Sequence, residues 1–409
     1  MRNLFFVFCL FITFTSFGQL PPIETNGSNI IDFNRKPILF KGINWWGANG
    51  SLIPYSDNHS KNTNTHAMPF GLHVQHLDTI LQAIKTIGFN SIRLPFSNQM
   101  LHDTTKSLKD WVGPNKNLIG LTPLQVMDTI LEHCANHKLM VVLNNHSTTT
   151  HWCCNYDFNG LWNGGDQNFK QKNKAWIDDW RMLALRYKSN LWVVGADLRN
   201  EVRPKRRRGI PLPVNPNWGK GGKNDWKKQA QKAAEEIHKN NSNWLIIVEG
   251  INARVDLLMN LHFPHLKPIH KKPIQLSFSN KLIYEVHNYP FNWIKGNIIR
   301  RKKMVTYGEI NSKNRLEEYE KNWGYVHKTQ VAPVIVGEFG CSKLDHDRES
   351  WLNDLTSYIH QNNISFFWWT LEEELENASS YGLMNEKMNE MDVQLDWRWK
   401  YLEKLLGEY

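Results

Sequence analysis

The sequence predicts an α/β fold, a single (β/α)8 TIM barrel with extended loops at the C-terminal face of the strands. Three observations carry it. Short apolar runs alternate with amphipathic stretches along most of the chain, the apolar runs number eight, and no internal repeat or Ser/Thr/Pro linker divides them. Buried apolar strands separated by helices make a parallel sheet, and eight such units close into a barrel.

The elements follow in order. Residues 37–46 read as the first strand, ending in G-I-N-W-W, and 73–88 as a helix stopped by Gly88. Residues 90–95 form the second strand. Residues 122–138 are helical, with Thr122 suited to the N-cap and Pro123 to the first turn. The third strand is 139–144. After a loop rich in Trp and Gly come a helix at 172–188 and a strand at 191–199. Residues 225–240 are helical and 244–249 extended. Residues 250–281, rich in His and Pro, hold either a helix or a long loop. The remaining pattern is strand 282–287, helix 314–327, strand 334–338, helix 350–361, strand 364–370 and a last helix from Asp396.

The chain has 409 residues, long for one core, but barrels grow by loop insertion. Its 41% hydrophobic and 22% charged residues are ordinary for a globular protein. The 18 Trp are not. Indole faces stack on the apolar C–H faces of sugar rings, so this content points towards carbohydrate, although most of the Trp are expected to fill core. The net charge of +10 is spread along the chain, and its densest run, Lys205-Arg206-Arg207-Arg208, reads as a solvated loop. No nucleic-acid-binding motif accompanies it, so no nucleic-acid partner is expected.

Residues 1–18 read as a signal peptide: Arg2, an apolar run from Leu4 to Phe14, then Ser16-Phe17-Gly18 before a mature start at Gln19. A lead-in spans 19–36 and the catalytic domain 37–409. The apolar run is short for a membrane span and no second follows, so a secreted protein, extracellular or periplasmic, is expected. Cys9 leaves with the signal. Cys134, Cys153, Cys154 and Cys341 remain, and their pairing is not readable from spacing. No Cys or His pair has metal-ligand spacing, so neither metal nor cofactor is expected. The expected state is a monomer.

Catalytic groups of such barrels sit where the strands end. The apolar runs end at or near Arg93, Asn145-His146, Asn200-Glu201, Glu249, His287-Asn288-Tyr289, Glu338 and Trp368-Trp369. Each alone has a bland reading, His146 as a structural histidine and Arg93 as a salt-bridge partner. Together at one barrel mouth they read as a site. Glycoside hydrolysis needs one carboxyl that donates a proton and a second carboxylate across the bond. Strands 4 and 7 face each other, so Glu201 and Glu338 are the expected pair. Arg93 is placed to keep Glu338 ionised and Tyr289 to orient it, while Asn200 is placed to hold a sugar hydroxyl. Glu249, Glu285 and Glu372, Glu373 and Glu374 are the rival carboxylates.

The motifs N-S-I-R-L-P-F-S (90–97), V-V-G-A-D-L-R-N-E (193–201), L-I-Y-E-V-H-N-Y (282–289), P-V-I-V-G-E-F-G (333–340) and F-F-W-W-T-L (366–371) occur in one order across most of the chain. In this the sequence resembles glycoside hydrolase family five, the cellulase family, and most of all a branch that includes plant members. The resemblance implies Glu201 as acid/base and Glu338 as nucleophile. It implies Arg93, His146, Asn200, His287 and Tyr289 as the supporting shell, and a strand-8 Trp, assigned to Trp369 with Trp368 as neighbouring candidate, as the sugar platform. Two positions depart from the family pattern: Val202 stands where most members have Pro, and Asn144 where many have Asp.

The function expected is therefore retaining endo-hydrolysis of β-1,4-glucan, with a β-linked oligo- or polysaccharide as partner. The alternatives are a β-mannan or other β-glycan hydrolase on the same site, and a non-catalytic glycan-binding barrel. Trp45, Trp46, Trp152, Trp162 and Trp218 are candidate subsite aromatics.

Overall fold

The computed structural model describes residues 23–50, 67–150, 154, 157–166, 169–207, 210–256, 260–297, 305–372, 381–391, 393 and 396–407. The expected signal peptide, Trp152, Cys153, Arg208, Glu373 and Glu374 lie outside the described residues. Eight parallel strands form a closed barrel. They are β1 Lys41–Asn44, β2 Ser91–Ser97, β3 Met140–Ser147, β4 Val193–Asp197, β5 Leu245–Glu249, β6 Leu282–His287, β7 Val334–Phe339 and β8 Ser365–Trp368. Each strand pairs with its neighbours in sequence. The seam closes where β8 pairs with β1, Phe366 opposite Lys41 and Trp368 opposite Ile43.

The main helices are α1 Leu77–Thr86, α2 Pro123–Asn136, α3 Asn173–Arg186, α4 Trp226–Asn240, α5 Ser312–Tyr319, α6 Glu349–Gln361 and α7 Trp399–Leu406. α2 starts as its sequence predicts: Thr122 and Gln125 form a reciprocal capping box, and Pro123 occupies the first turn. No helix among the described residues is long and apolar enough to cross a membrane.

Two segments differ from expectation, and a third, 250–281, takes the loop rather than the helix of its two expected forms. The run at 37–46 divides in two: Pro37–Ile38 pairs antiparallel with Asn29–Ile31, and only Lys41–Asn44 enters the barrel. Asn29–Ile31 also pairs with Glu24–Asn26, so the lead-in is a small meander. Its Ile23 and Ile30, with Phe40, pack on Met140, Val142, Val194, Ile247, Ile283, Ile335 and Phe367, flooring the barrel with apolar surface. Between β5 and β6, the described residues form two short strands, Arg254–Val255 and Asn260–His262, and one 3-10 turn, Lys267–His270. Pro264, Pro268 and Pro273 break a helix there by removing N–H donors. The basic run is no loose loop: Lys205–Arg207 pairs antiparallel with Ile210–Val214, a two-stranded ribbon that tolerates Pro211 and Pro213 because its edges need no further donors.

Among the described residues ten Trp are almost wholly buried, so the tryptophan content is largely structural. Trp162, Trp176 and Trp226 pack on one another between α3 and α4, with ring centroids 4.9–6.1 Å apart.

Two glycines are set by close approach. A Cβ on Gly42 would lie 2.1 Å from the Phe367 ring, and one on Gly337 would lie 1.5 Å from Glu285 Oε1. Gly337→Ala is therefore expected to push Glu285 off its partners. It should lower stability by about 1–3 kcal/mol in thermal or urea unfolding and lower turnover as well; unchanged stability and turnover would refute the close contact.

Candidate active site

The guanidinium of Arg93, wholly buried on β2, organises the barrel mouth. Its Nε donates to Asp197 Oδ2 at 2.8 Å and lies 3.2 Å from Glu285 Oε1. Nη1 donates to Asn44 Oδ1 at 2.9 Å and Glu338 Oε1 at 2.6 Å, and Nη2 to Asn200 Oδ1 at 2.8 Å. One planar cation thus joins groups from β1, β4, β6 and β7 and from the turn after β4.

Glu338, near the end of β7, is held on both oxygens, since Tyr289 donates its hydroxyl to Oε2 at 2.9 Å. Glu201, just past β4, is 13% exposed, against 5% for Glu338. His287, at the end of β6, lies between them: Nδ1 is 3.1 Å from Glu201 Oε1 and 3.3 Å from Glu338 Oε2. The ligand-type atoms of Glu201, His287 and Glu338 all lie within 4.8 Å of one another.

His146 closes one side. Its Nδ1 is 2.7 Å from Asn144 Oδ1, and Asn144 Nδ2 donates to Asp197 Oδ2 at 2.6 Å. The amide nitrogen being so used, Nδ1 of His146 carries the proton and Nε2 is an acceptor. The Asn144 amide thus links His146 to Asp197. The Trp369 ring stacks on His146, centroids 5.6 Å apart and planes 10° apart. Trp46, Phe70, Tyr289 and Trp369 form one aromatic cluster, with Tyr381 against it. Trp368 points the other way, fully buried, with Nε1 donating to Tyr381 O at 3.1 Å.

All eight sequence-selected residues, Arg93, His146, Asn200, Glu201, His287, Tyr289, Glu338 and Trp369, thus meet in one linked set. Of the candidate subsite aromatics, Trp46 joins it. Trp45, Trp162 and Trp218 do not: they sit in the layer between barrel and helices, where indole fills volume. Trp45 Nε1 donates to Phe70 O at 2.7 Å and Trp218 Nε1 to Lys272 O at 2.8 Å, which satisfies both polar atoms internally. Asn44 and Tyr381 were not selected from sequence, although the N of G-I-N-W-W marked a strand end. Phe291, 52% exposed, stacks on Tyr289 at 4.9 Å and nothing in sequence marked it. Cys154 is disulfide-bonded and its Sγ lies 3.8 Å from Asn200 Nδ2, whereas Cys134 and Cys341 are buried free thiols.

Five carboxylates, Asp197, Glu201, Glu249, Glu285 and Glu338, surround Arg93 and His287, so some must hold protons. Burial, then the neighbouring Glu285, pushes Asp197 well up; burial likewise drives Glu249 well up. Burial is the largest influence on Glu285 and would raise it, but Arg93, His287 and Asp197 together outweigh burial and hold Glu285 low. Burial would neutralise His287, yet Glu249, Glu338 and the Glu201 bond raise it well above its ordinary value. Burial raises Glu338, with His287 and Arg93 pulling back, while in Glu201 burial is the largest influence but is outweighed by the His287 bond together with the charges of His287, Arg203 and Arg93, which hold it low. This order is the reverse of that expected of an acid/base Glu201 and a nucleophilic Glu338. A guanidinium at 2.6 Å nevertheless makes Glu338 the natural anion, and the proton on His287 is one hydrogen bond from Glu201. Two carboxylates and an imidazole this close are also the donor types that suit a divalent cation.

His146 is pushed well below its ordinary value by burial and then by Arg93 and His287. A depressed histidine binds its proton in the unfolded chain first, so stability is lost as pH falls below about 6.5. His146→Asn is expected to remove about 2 kcal/mol of the stability lost between pH 7 and 5, read from urea midpoints. An unchanged pH dependence would contradict a neutral His146.

A family model, Cellulase (glycosyl hydrolase family 5), matches residues 54–374. An endoglucanase of Paenibacillus polymyxa is 30% identical over 391 residues, covering 91% of this chain and 87% of that protein. A glycosyl hydrolase 5 family protein of the plant Chamaecyparis obtusa is 25% identical and covers 74% of this chain, which spans only 52% of that longer protein. An endocellulase of Pyrococcus horikoshii, solved as a variant complex with cellotetraose, superposes with a TM-score of 0.73 at 23% identity over 95% of this chain and 99% of that one.

Proposed function

The chain belongs to glycosyl hydrolase family 5, and we propose from that premise that it is a retaining endo-β-1,4-glucanase with Glu201 as acid/base and Glu338 as nucleophile. The observation that carries the mechanism is the approach of the two carboxylates, with oxygens within 4.8 Å of each other and of His287 Nδ1. A close pair leaves no room for water beneath the sugar and forces attack by the carboxylate itself; inverting pairs stand wider.

In the first step a Glu338 oxygen attacks the anomeric carbon as the glycosidic bond breaks. The proton on the His287–Glu201 hydrogen bond, seated on Glu201, goes to the leaving oxygen. Arg93 and Tyr289 keep Glu338 aimed and ionised, and the imidazole is left neutral. In the second step Glu201 takes a proton from water, whose oxygen attacks the same carbon and releases Glu338. Each step inverts, so the product keeps the β configuration.

The endo-glucan reading rests on the family and on the names of its relatives, and Trp369, stacked on His146 at the barrel mouth, supports it, since pyranose faces stack on indole. Trp369 serves as the sugar platform, and the neutral His146 accepts a hydroxyl. The protein acts as a secreted monomer, freed of residues 1–18, so the exported chain should begin at Gln19 in N-terminal sequencing.

Purified enzyme on a panel of soluble β-glucans and mannans, followed by NMR, is expected to cleave β-1,4-glucan with the β-anomer first. Glu338→Gln should show no turnover, and Glu201→Gln should lose roughly 10²–10⁴-fold on unactivated glucan. The α-anomer first, or an active Glu338→Gln, would overturn the roles. Cleavage of mannan alone would overturn the substrate.

A further inference from the structure

Glu201 is an L residue in the left-handed region, with φ at 41°. Such a conformation is unfavourable unless the surroundings impose it. Its neighbours are tied by ordinary main-chain bonds. Asn200 N–H donates to Asn145 O at 3.0 Å, and Asn252 N–H donates to Val202 O at 2.9 Å, beside a parallel bridge between Val202 and Ile251. The N–H of Glu201 itself goes to a side chain, Glu249 Oε2, at the end of β5. Glu249 is 3% exposed and is fixed in turn by Trp226 of α4, whose Nε1 donates to the Glu249 carbonyl at 2.8 Å.

We propose that Glu249 is a positioning residue for the acid/base: its side-chain oxygen captures the Glu201 N–H and locks the left-handed turn that carries the Glu201 carboxyl over to His287 and opposite Glu338. This rests on the reading of Glu201 as acid/base. The strand-5 carboxyl, a rival for catalysis by sequence, acts instead from beneath the cleft. Its oxygen lies 3.9 Å from His287 Nε2 and so backs the same histidine that bridges the pair. The bond needs an acceptor oxygen, not a charge. Burial already favours the neutral form of Glu249, so an amide oxygen meets the same need.

The leaving group provides a readout that simple destabilisation does not move. kcat/KM reports bond cleavage to the glycosyl-enzyme. A phenyl leaving group needs the acid's proton and 2,4-dinitrophenolate does not. Phenyl and 2,4-dinitrophenyl cellobiosides are therefore compared for the parent, Glu249→Gln and Glu249→Leu, with unfolding curves for each. Glu249→Leu is expected to lose about 100-fold in kcat/KM on the phenyl substrate and less than about fivefold on the dinitrophenyl one. Glu249→Gln should restore the parent ratio within about threefold. If Glu249→Leu does not fold, Glu249→Asp, one methylene short of the N–H, replaces it with the same expectation. Equal losses on both substrates, no loss on either, or a Gln variant that behaves like Leu would overturn the proposal. Glu201→Gln is run beside them: if it spares the phenyl substrate, the acid/base assignment itself fails, a result distinct from failure of the Glu249 contact.

Discussion

The mouth of the barrel depends on one buried cation. Arg93 has no contact with solvent, and its donors meet Asn44, Asp197, Asn200 and Glu338, with Glu285 beside them. A lone guanidinium in such a place would be heavily penalised, and so would the acids. Each justifies the other, and the geometry of a planar fork fixes the directions in which the partners must stand. The strand order of the barrel makes this possible, because groups far apart in sequence end at the same rim.

From that cation the charges of the site can be ordered. Burial pushes Asp197 and Glu249 well up; Glu285 and Glu338 lie against Arg93; His287 lies against Glu201. Asp197 Oδ1 and both Glu285 oxygens accept no hydrogen bond from an N–H donor, although Glu285 Oε1 lies 3.2 Å from Arg93 Nε. Asp197 and Glu285 also act on each other side chain to side chain, one raised and the other held low. The carboxyls thus stand in two tiers: Asp197, Glu249 and Glu285 are the more deeply buried, and Glu201 and Glu338 lie above them beside His287.

Much of this was legible in sequence because strand ends coincide with site residues. N-E after 193–199, H-N-Y after 282–286 and G-E-F-G after 334–336 placed Glu201, His287, Tyr289 and Glu338, and the Arg in N-S-I-R-L-P placed Arg93. A period of two cannot show where a loop folds back. Trp45 and Trp46 are adjacent and equally apolar, yet one joins the layer beneath the helices and the other the aromatic cluster around Trp369. For the same reason the floor formed by Ile23, Ile30 and Phe40 read as a lead-in and a longer first strand. Glu249 was legible as a strand-end acid, but its bond to a main-chain N–H depends on a backbone angle that composition does not encode.

The barrel seam has a kinetic consequence. Phe40 N–H donates to Ser365 Oγ across 325 residues, beside the β8–β1 pairing. One edge of β1 pairs with β2, but the other waits through synthesis of seven further strands before its partner β8 exists. Loop closure of that length is slow, and an unpaired apolar edge in the interval is a template for a second chain. A chain that emerges gradually from a ribosome therefore passes through open sheets of growing width. Its yield of active enzyme is then governed by how quickly the last strand finds the first, and at high concentration that race is lost to association between open chains.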